Sequence, residues 1–357
     1  MMVKRRTMRA NARDATERGG DDAGVGPETP AGGVEAFLAR LEAQCPPDRW
    51  EATRASFAAE KPLVLRLNPL VGPVGATEEA LARLAETAAV ELWPLSREVG
   101  AWVVKLPTGV SRQVVTDSAL VTGGAAYVMN PSSLLPGLAL APEPGDAVLD
   151  LCAAPGGKTL HLAALMRLGA GGGSLAAVEA VKPRFFKLRY LLDRFGAPST
   201  KTYLKDGRDV GAATGPRFDR VLLDAPCSSE ARLDLTDPTS FATWSPDKVR
   251  ACEHKQRGLL RSAFAALKPG GRLVYCTCSF SRAENEDVLA DFLAEAGDAA
   301  EVVDAGLDGL AWASAPPLGP GGSADEACGP LGFTRRVWPD ALWDGFFVAA
   351  ITKHMPD

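Results

Sequence analysis

Through the middle and C-terminal parts of the chain, short apolar runs alternate with glycine-rich turns and amphipathic stretches of helical period. The apolar runs fall at 147–151, 174–178, 200–203, 220–223, 271–276 and 345–351, and helical stretches between them include 159–167, 183–195 and 250–267. Short apolar runs bounded by turn residues read as buried strands, and their alternation with helices predicts a parallel sheet covered by helices. The last run follows a Pro/Gly-rich stretch at 316–322, so it is expected to insert late into an otherwise complete sheet. Ahead of this region the pattern is that of a smaller α/β unit, with a helix at 34–41, a strand at 63–67, a helix at 78–87 and a strand at 101–106. Residues 1–32 hold almost no large aliphatic side chains and are expected to be disordered. The expected organisation is a tail at 1–32, a small domain at 33–126 and a larger domain at 127–354.

Composition narrows the classes. The 357 residues are 46% hydrophobic, ordinary for a globular protein, and no run of 18 apolar residues predicts a membrane span. The net charge of −5 argues at first against a polyanionic partner, but it is unevenly spread: 21 basic against 16 acidic residues over 146–290, and 3 against 11 over 291–357. The central region is thus mildly basic and permits such a partner, although a solvated surface explains the same balance. The first 18 residues carry six basic and two acidic side chains, which fits an organelle-targeting peptide, a nucleic-acid-binding tail or a passive extension. The seven cysteines form no C-x-x-C pair and the three histidines are scattered, so neither a disulfide framework nor a zinc site is expected, and the compartment is taken as reducing.

Between 148 and 159 lies Val-Leu-Asp-Leu-Cys-Ala-Ala-Pro-Gly-Gly-Lys-Thr: a strand, a tight glycine turn and a helix start, where backbone approaches a ligand closely and free amides favour polar groups. The phosphate loop of nucleotide triphosphatases requires a glycine where Cys152 stands, which disfavours nucleotide triphosphate binding despite Gly157-Lys158-Thr159. Glu179, Asp206 and Asp224 close three successive strands. Each alone reads equally well as a cap or a surface charge. Together they suit an adenosine without phosphate, and point to S-adenosylmethionine rather than a nicotinamide dinucleotide.

Two cysteine motifs carry the chemistry. Asp224-Ala-Pro-Cys227-Ser and Thr277-Cys278-Ser279 each follow an apolar run, and the carboxyl ends of parallel strands open into the ligand crevice. Two thiols at two such ends face one pocket. A thiolate is a strong nucleophile and a neighbouring thiol handles protons, which suits covalent attack on an unactivated ring. Cys152 and Cys252 read as small buried hydrophobes. Cys276, two residues before Cys278, is expected to point to the opposite face of its strand. Lys182, Arg184, Lys187 and Arg189 follow Glu179 on a helix and read chiefly as solvated charges.

C-A-A-P-G-G-K-T, D-A-P-C-S and T-C-S, in that order, with Tyr127-Val-Met-Asn130-Pro-Ser-Ser before them and Gly345-Phe-Phe after them, resemble the Sun-type (RsmB/RsmF-like) RNA cytosine-C5 methyltransferase family over about 34–353. The resemblance implies a class I S-adenosylmethionine-dependent methyltransferase fold: α/β, Rossmann-like, with a mostly parallel seven-stranded sheet, preceded by a small ferredoxin/RRM-like α/β domain that binds RNA. It implies S-adenosylmethionine bound by Cys152, Ala153, Ala154, Pro155, Gly156, Gly157, Lys158, Glu179, Asp206 and Asp224. By the same resemblance Cys278 matches the nucleophile and Cys227 the cysteine that aids product release. Asp224 would steady the ring and Lys158 would add positive potential. The expected partner is RNA, ribosomal before transfer RNA, with no metal and no membrane, in the cytoplasm, or in a mitochondrion or plastid if the tail is a transit peptide. Where Ser, Gln and Asp are usual in the family this chain has Cys276, Asn130 and Glu179. A non-catalytic RNA-binding assembly factor is the alternative from another class.

Overall fold

The computed structural model describes residues 33–72, 74–97, 99–167, 172–307 and 329–355. The expected tail at 1–32, the stretch at 316–322 and Cys328 lie outside the described residues. Two helices open the described chain, α1 (Val34–Glu42) and α2 (Trp50–Ser56). They do not join the small domain as expected. Phe37 and Leu41 of α1, with Cys45 and Phe57, pack against Leu233, Phe241, Trp244, Phe280 and Trp338 of the larger domain. The ring of Phe37 meets those of Phe57, Phe241 and Trp244 edge-on at 5.5–5.7 Å, the geometry aromatic quadrupoles favour.

The small domain follows as β1 (Leu63–Leu67), α3 (Val74–Ala88), β2 (Glu91–Ser96), β3 (Ala101–Lys105), α4 (Gln113–Thr116), α5 (Ala119–Thr122) and β4 (Ala126–Met129). The sheet order is β2-β3-β1-β4 and every pairing is antiparallel. With a helical crossover on each side of the β2–β3 pair, this is the ferredoxin-like arrangement. β4 lies beyond the expected boundary at 126: Tyr127, Val128 and Met129 pair with Arg66, Leu65 and Val64. The small domain therefore delivers its last strand directly beside the larger one. Asn68, at the end of β1, stitches the two together, its Nδ2 donating to Gly124 O at 2.9 Å and to Phe195 O at 2.8 Å.

The larger domain runs α6 (Leu135–Leu140), β5 (Ala147–Asp150), α7 (Gly157–Leu165), β6 (Ser174–Glu179), α8 (Lys182–Arg194), β7 (Lys201–Leu204), α9 (Val210–Thr214), β8 (Phe218–Asp224), α10 (Pro246–Ala266), β9 (Leu267–Thr277), α11 (Glu286–Ala296), β10 (Ala300–Val303), β11 (Arg335–Val337) and β12 (Phe346–Lys353). Seven strands lie in the order β10-β12-β9-β8-β5-β6-β7, and β11 pairs with β12. β5 to β9 are mutually parallel and β12 enters antiparallel between β9 and β10. The late insertion is as the sequence predicts, and the fold is that of the class I methyltransferases.

Alternation along the central strands builds two cores. Val148, Ala177, Leu222, Val274 and Val348 face α6, α7 and α8, while Leu149, Val178, Val221, Leu273 and Phe347 face α10 and α11. Strands buried on both sides need apolar residues at every position, which is why these runs are continuous rather than alternating. The carboxyl ends of β5, β6, β8 and β9 all emerge on one edge, and the edge strand β4 of the small domain sits beside it. No helix among the described residues is long and apolar enough to cross a membrane.

Candidate functional site

β5 ends at Asp150, and the turn that follows is pinned to its neighbours: Leu151 N–H donates to Leu222 O at 2.9 Å and Ala153 N–H to Val178 O at 2.9 Å. Gly156 adopts φ +115°, and a Cβ there would lie 2.9 Å from Leu188 Cδ1. A Cβ on Gly157 would lie 2.9 Å from the Tyr127 ring. The turn thus needs one glycine for its backbone and the next for its closeness to β4. Thr159 Oγ1 donates to Asp150 Oδ2 at 2.7 Å, tying the helix start to the strand end. Burial pushes the Asp150 carboxyl up to about 7.

A cleft of about 490 Å³ opens at this edge. Cys152, Ala153, Ala154, Pro155, Gly157, Lys158, Asp224, Cys227 and Cys278 all line it, together with Tyr127, Asn130 and Arg232. The sequence places these nine residues in one site, and the fold brings them to one wall. Gly156 lies under that wall rather than on it, consistent with its contact to Leu188.

Glu179 and Asp206 stand at the expected strand ends but do not line this cleft. Glu179 is buried, accepts the Val181 N–H at 2.8 Å and lies 3.4 Å from the Arg184 guanidinium. Asp206 caps a helical turn through the Arg208 N–H at 3.0 Å and takes the Arg208 guanidinium at 2.7–3.2 Å. These contacts hold its carboxyl down at about 2. For Asp206 the local cap accounts for the side chain as it stands. Arg184 is more than a solvated charge: its Nη2 donates to Ala154 O at 2.6 Å, bracing the glycine turn from α8.

The two cysteine turns meet. Cys227 follows β8 and Cys278 follows β9, and because those strands are parallel neighbours their ends lie side by side. Ala225 N–H donates to Cys276 O at 2.9 Å and Ala231 N–H to Cys278 O at 3.0 Å. The sulfurs of Cys227 and Cys278 are 3.3 Å apart and unbridged. The hydrogen bond from Cys227 holds the Cys278 thiol down at about 7 against the effect of burial, and Arg232 and Lys158 add to the lowering. The same contact and burial push Cys227 well up. Lys158 Nζ lies 2.9 Å from Asp224 Oδ2 and 5.4 Å from the centre of the Phe346 ring. Burial opposes its charge, but the Asp224 carboxylate overrides that and raises it.

The expectation that Cys276 and Cys278 point to opposite faces is wrong. Residues two apart on a pleated strand share a face, and both pack on the core beneath α6 and α7. Cys276 is nonetheless kept out of the site: it is fully buried, its Sγ lies 3.6 Å from Asp224 Oδ1, and burial and that carboxylate push its thiol up. Sequence reasoning missed Arg232 and the buried Glu284 behind the cysteines, because neither belongs to a glycine turn or ends a strand.

Residues 137–352 match the family model described as 16S rRNA methyltransferase RsmB/F. The ribosomal RNA small subunit methyltransferase F of Shewanella amazonensis is 37% identical over 82% of this chain and 59% of its own length. That of Serratia proteamaculans is 39% identical over 65% of this chain and 45% of its own. The chain therefore spans about half the length of these relatives. A methyltransferase homolog protein from Pyrococcus horikoshii superimposes with a TM-score of 0.72 at 26% identity, over 89% of this chain and 98% of that one. The sheet order, the glycine turn braced from α8 and the paired cysteine turns accompany a sequence match over more than half of the chain, and the protein belongs to the 16S rRNA methyltransferase RsmB/F family.

Proposed function

We propose that this protein methylates carbon 5 of a cytosine in RNA, ribosomal RNA first, using S-adenosylmethionine. The observation that carries the reading is the 3.3 Å contact between Cys227 and Cys278 in a cleft shared with the glycine turn. S-adenosylmethionine, when bound, supplies an electrophilic methyl group. The residues present fit it: the turn from Cys152 to Lys158 presents backbone to the cleft, and Glu179 closes the adjacent strand, where a carboxylate accepts ribose hydroxyls. Asp206 would have to release Arg208 to take part.

Carbon 5 of cytosine is a poor nucleophile. Addition of the Cys278 thiolate to carbon 6 would make the ring an enamine, nucleophilic at carbon 5 and able to take a methyl group whose donor leaves as S-adenosylhomocysteine. Asp224 faces the same cleft and is set to hydrogen-bond the ring, with Lys158 compensating its charge. The proton on carbon 5 must then leave before the Cys278–carbon bond breaks. Cys227 is the nearest sulfur for that step. Once Cys278 is bound as a neutral thioether, its charge no longer holds Cys227 protonated, so Cys227 ionises more readily when a base is needed. A base inside a duplex is out of reach, so the target cytosine lies in a loop or is unstacked on binding.

Methyl transfer from labelled S-adenosylmethionine to total RNA, followed by nucleoside analysis, tests the reading. Label in 5-methylcytidine is expected. Label in another nucleoside, or none, contradicts it, and the second result leaves the RNA-binding role.

A further inference from the structure

Two fully buried carboxylates stand behind the cysteine pair, and they are not equivalent. Glu230 is ion-paired with Arg40 and accepts hydrogen bonds from Trp244 Nε1 at 3.0 Å and Phe280 N at 2.9 Å, and its Oε2 lies 3.1 Å from Ser279 Oγ, whose shorter contact is to Glu284. Glu284 is held by neutral donors. Its Oε1 accepts from Ser228 N at 2.9 Å and Gln256 Nε2 at 3.1 Å, and its Oε2 from Ser279 Oγ at 2.6 Å and from Ser228 Oγ. Four donors satisfy an ionised carboxylate. Ser228 directly follows Cys227 and Ser279 directly follows Cys278. One carboxylate therefore ties both cysteine turns to a single point. Gln256 adds a bond to Pro226 O at 3.0 Å, in the turn just before Cys227. The backbone of Glu284 is itself fixed, its carbonyl accepting from Tyr275 OH at 2.5 Å.

The charges around the pair are asymmetric. Cys278 feels Arg232 and Lys158 as lowering influences and Asp224 as a raising one, whereas Cys227 feels Glu284 and the charge of Cys278, both raising. Arg40 is ion-paired with Glu230 and also feels the charge of Glu284. Cys276 and Tyr275, packed beneath, stay protonated through burial. We propose that Glu284 is the positioning residue that decides which of the two sulfurs attacks: it locks both cysteine turns to one carboxylate and sets its negative charge at the Cys227 end, leaving Cys278 as the nucleophile. Without it the two thiols, 3.3 Å apart at equivalent ends of neighbouring strands, would compete for the same role.

The inference rests on reading the cysteines as the reacting pair, but its test needs neither RNA nor cofactor, so it fails separately from that reading. The purified full chain is alkylated with iodoacetamide from acid to alkaline pH, and each cysteine is quantified by peptide mass spectrometry. In the unaltered protein Cys278 is expected to react with a midpoint at about 7, with Cys227 protected far above it. In Glu284→Gln the preference for Cys278 over Cys227 should fall by about tenfold or more, one pKa unit of differential interaction. Glu284→Asp, which keeps the charge, should restore most of it. A Glu284→Gln protein with the original preference and midpoint overturns the proposal, whatever its stability. If Glu284→Gln does not fold, Ser228→Ala/Ser279→Ala keeps the charge and removes two anchors. With the carboxylate less firmly tied to the two turns, the Cys278 preference should fall, and an unchanged preference overturns the proposal as well.

Discussion

At the scale of the residue, the lowering of one thiol and the raising of its neighbour are a single event, the sharing of one proton across 3.3 Å. The lowered Cys278 is thiolate above its midpoint and thiol below it, so attack weakens as pH falls through about 7. Reaction of the protein with RNA should therefore follow a rising limb centred there, and a limb centred where an ordinary thiol titrates would contradict the assignment. Gly157 makes a different prediction. Its hydrogen faces the Tyr127 ring, and Gly157→Ala places a Cβ 2.9 Å from that ring. Overpacking of this kind costs about 1–3 kcal/mol. Urea unfolding should register the loss. Because the displaced ring lines the cleft, the apparent affinity for S-adenosylmethionine should weaken too. An unchanged protein would mean the turn tolerates a side chain.

At the scale of the element, α1 and the loop carrying Phe57 work as part of the larger domain although they precede the small one. Phe37 is fully buried among Phe57, Phe241 and Trp244. Phe37→Ala should cost about 3–5 kcal/mol, measured by chemical denaturation, and a cost below 1 kcal/mol would show that α1 is not part of this core. Arg336, on β11, meets Glu286 of α11 in a fully buried ion pair, its Nη2 lying 2.6 and 2.7 Å from the two carboxylate oxygens. Breaking such a pair from one side costs about 3–5 kcal/mol, whereas replacing both partners with apolar groups recovers much of the loss. Arg336→Met alone should therefore be far less stable than Arg336→Met/Glu286→Leu.

What could be read from sequence divides along the same line. The strands at the cysteine and glycine motifs were legible because each is a continuous apolar run ending in a turn residue with its own chemistry. β2 was not, since Glu91-Leu-Trp-Pro-Leu-Ser carries a proline and little alternation, as an edge strand tolerates. β4 was absorbed into the motif beginning at Tyr127. The docking of α1 on the larger domain and the reach of Glu284 to Ser228, 56 residues away, depend on contacts between distant parts of the chain, which local pattern does not encode. Cys276 was misread by a slip in the strand period.

At the scale of the whole molecule, the small domain places β4 at the carboxyl edge of the large sheet, so Tyr127 and Asn130 join the cysteines in lining one cleft. The mildly basic central region, 21 basic against 16 acidic residues over 146–290, supplies most of the residues that line that cleft. Binding to RNA through such a surface should weaken as salt rises, in proportion to the phosphates contacted. Affinity indifferent to salt would argue against a nucleic-acid substrate. Bisulfite sequencing of RNA made with and without the protein should show a cytosine protected only in its presence, and no such cytosine would contradict the proposed reaction.

The most direct measurement is of the covalent complex itself. Protein, RNA and S-adenosylmethionine are combined, denatured, and the RNA-linked peptide is identified by mass spectrometry. Cys227→Ala should accumulate an adduct on Cys278, because the proton on carbon 5 leaves slowly, and Cys278→Ala should form none. An adduct on Cys227 in the Cys278→Ala protein would contradict the account.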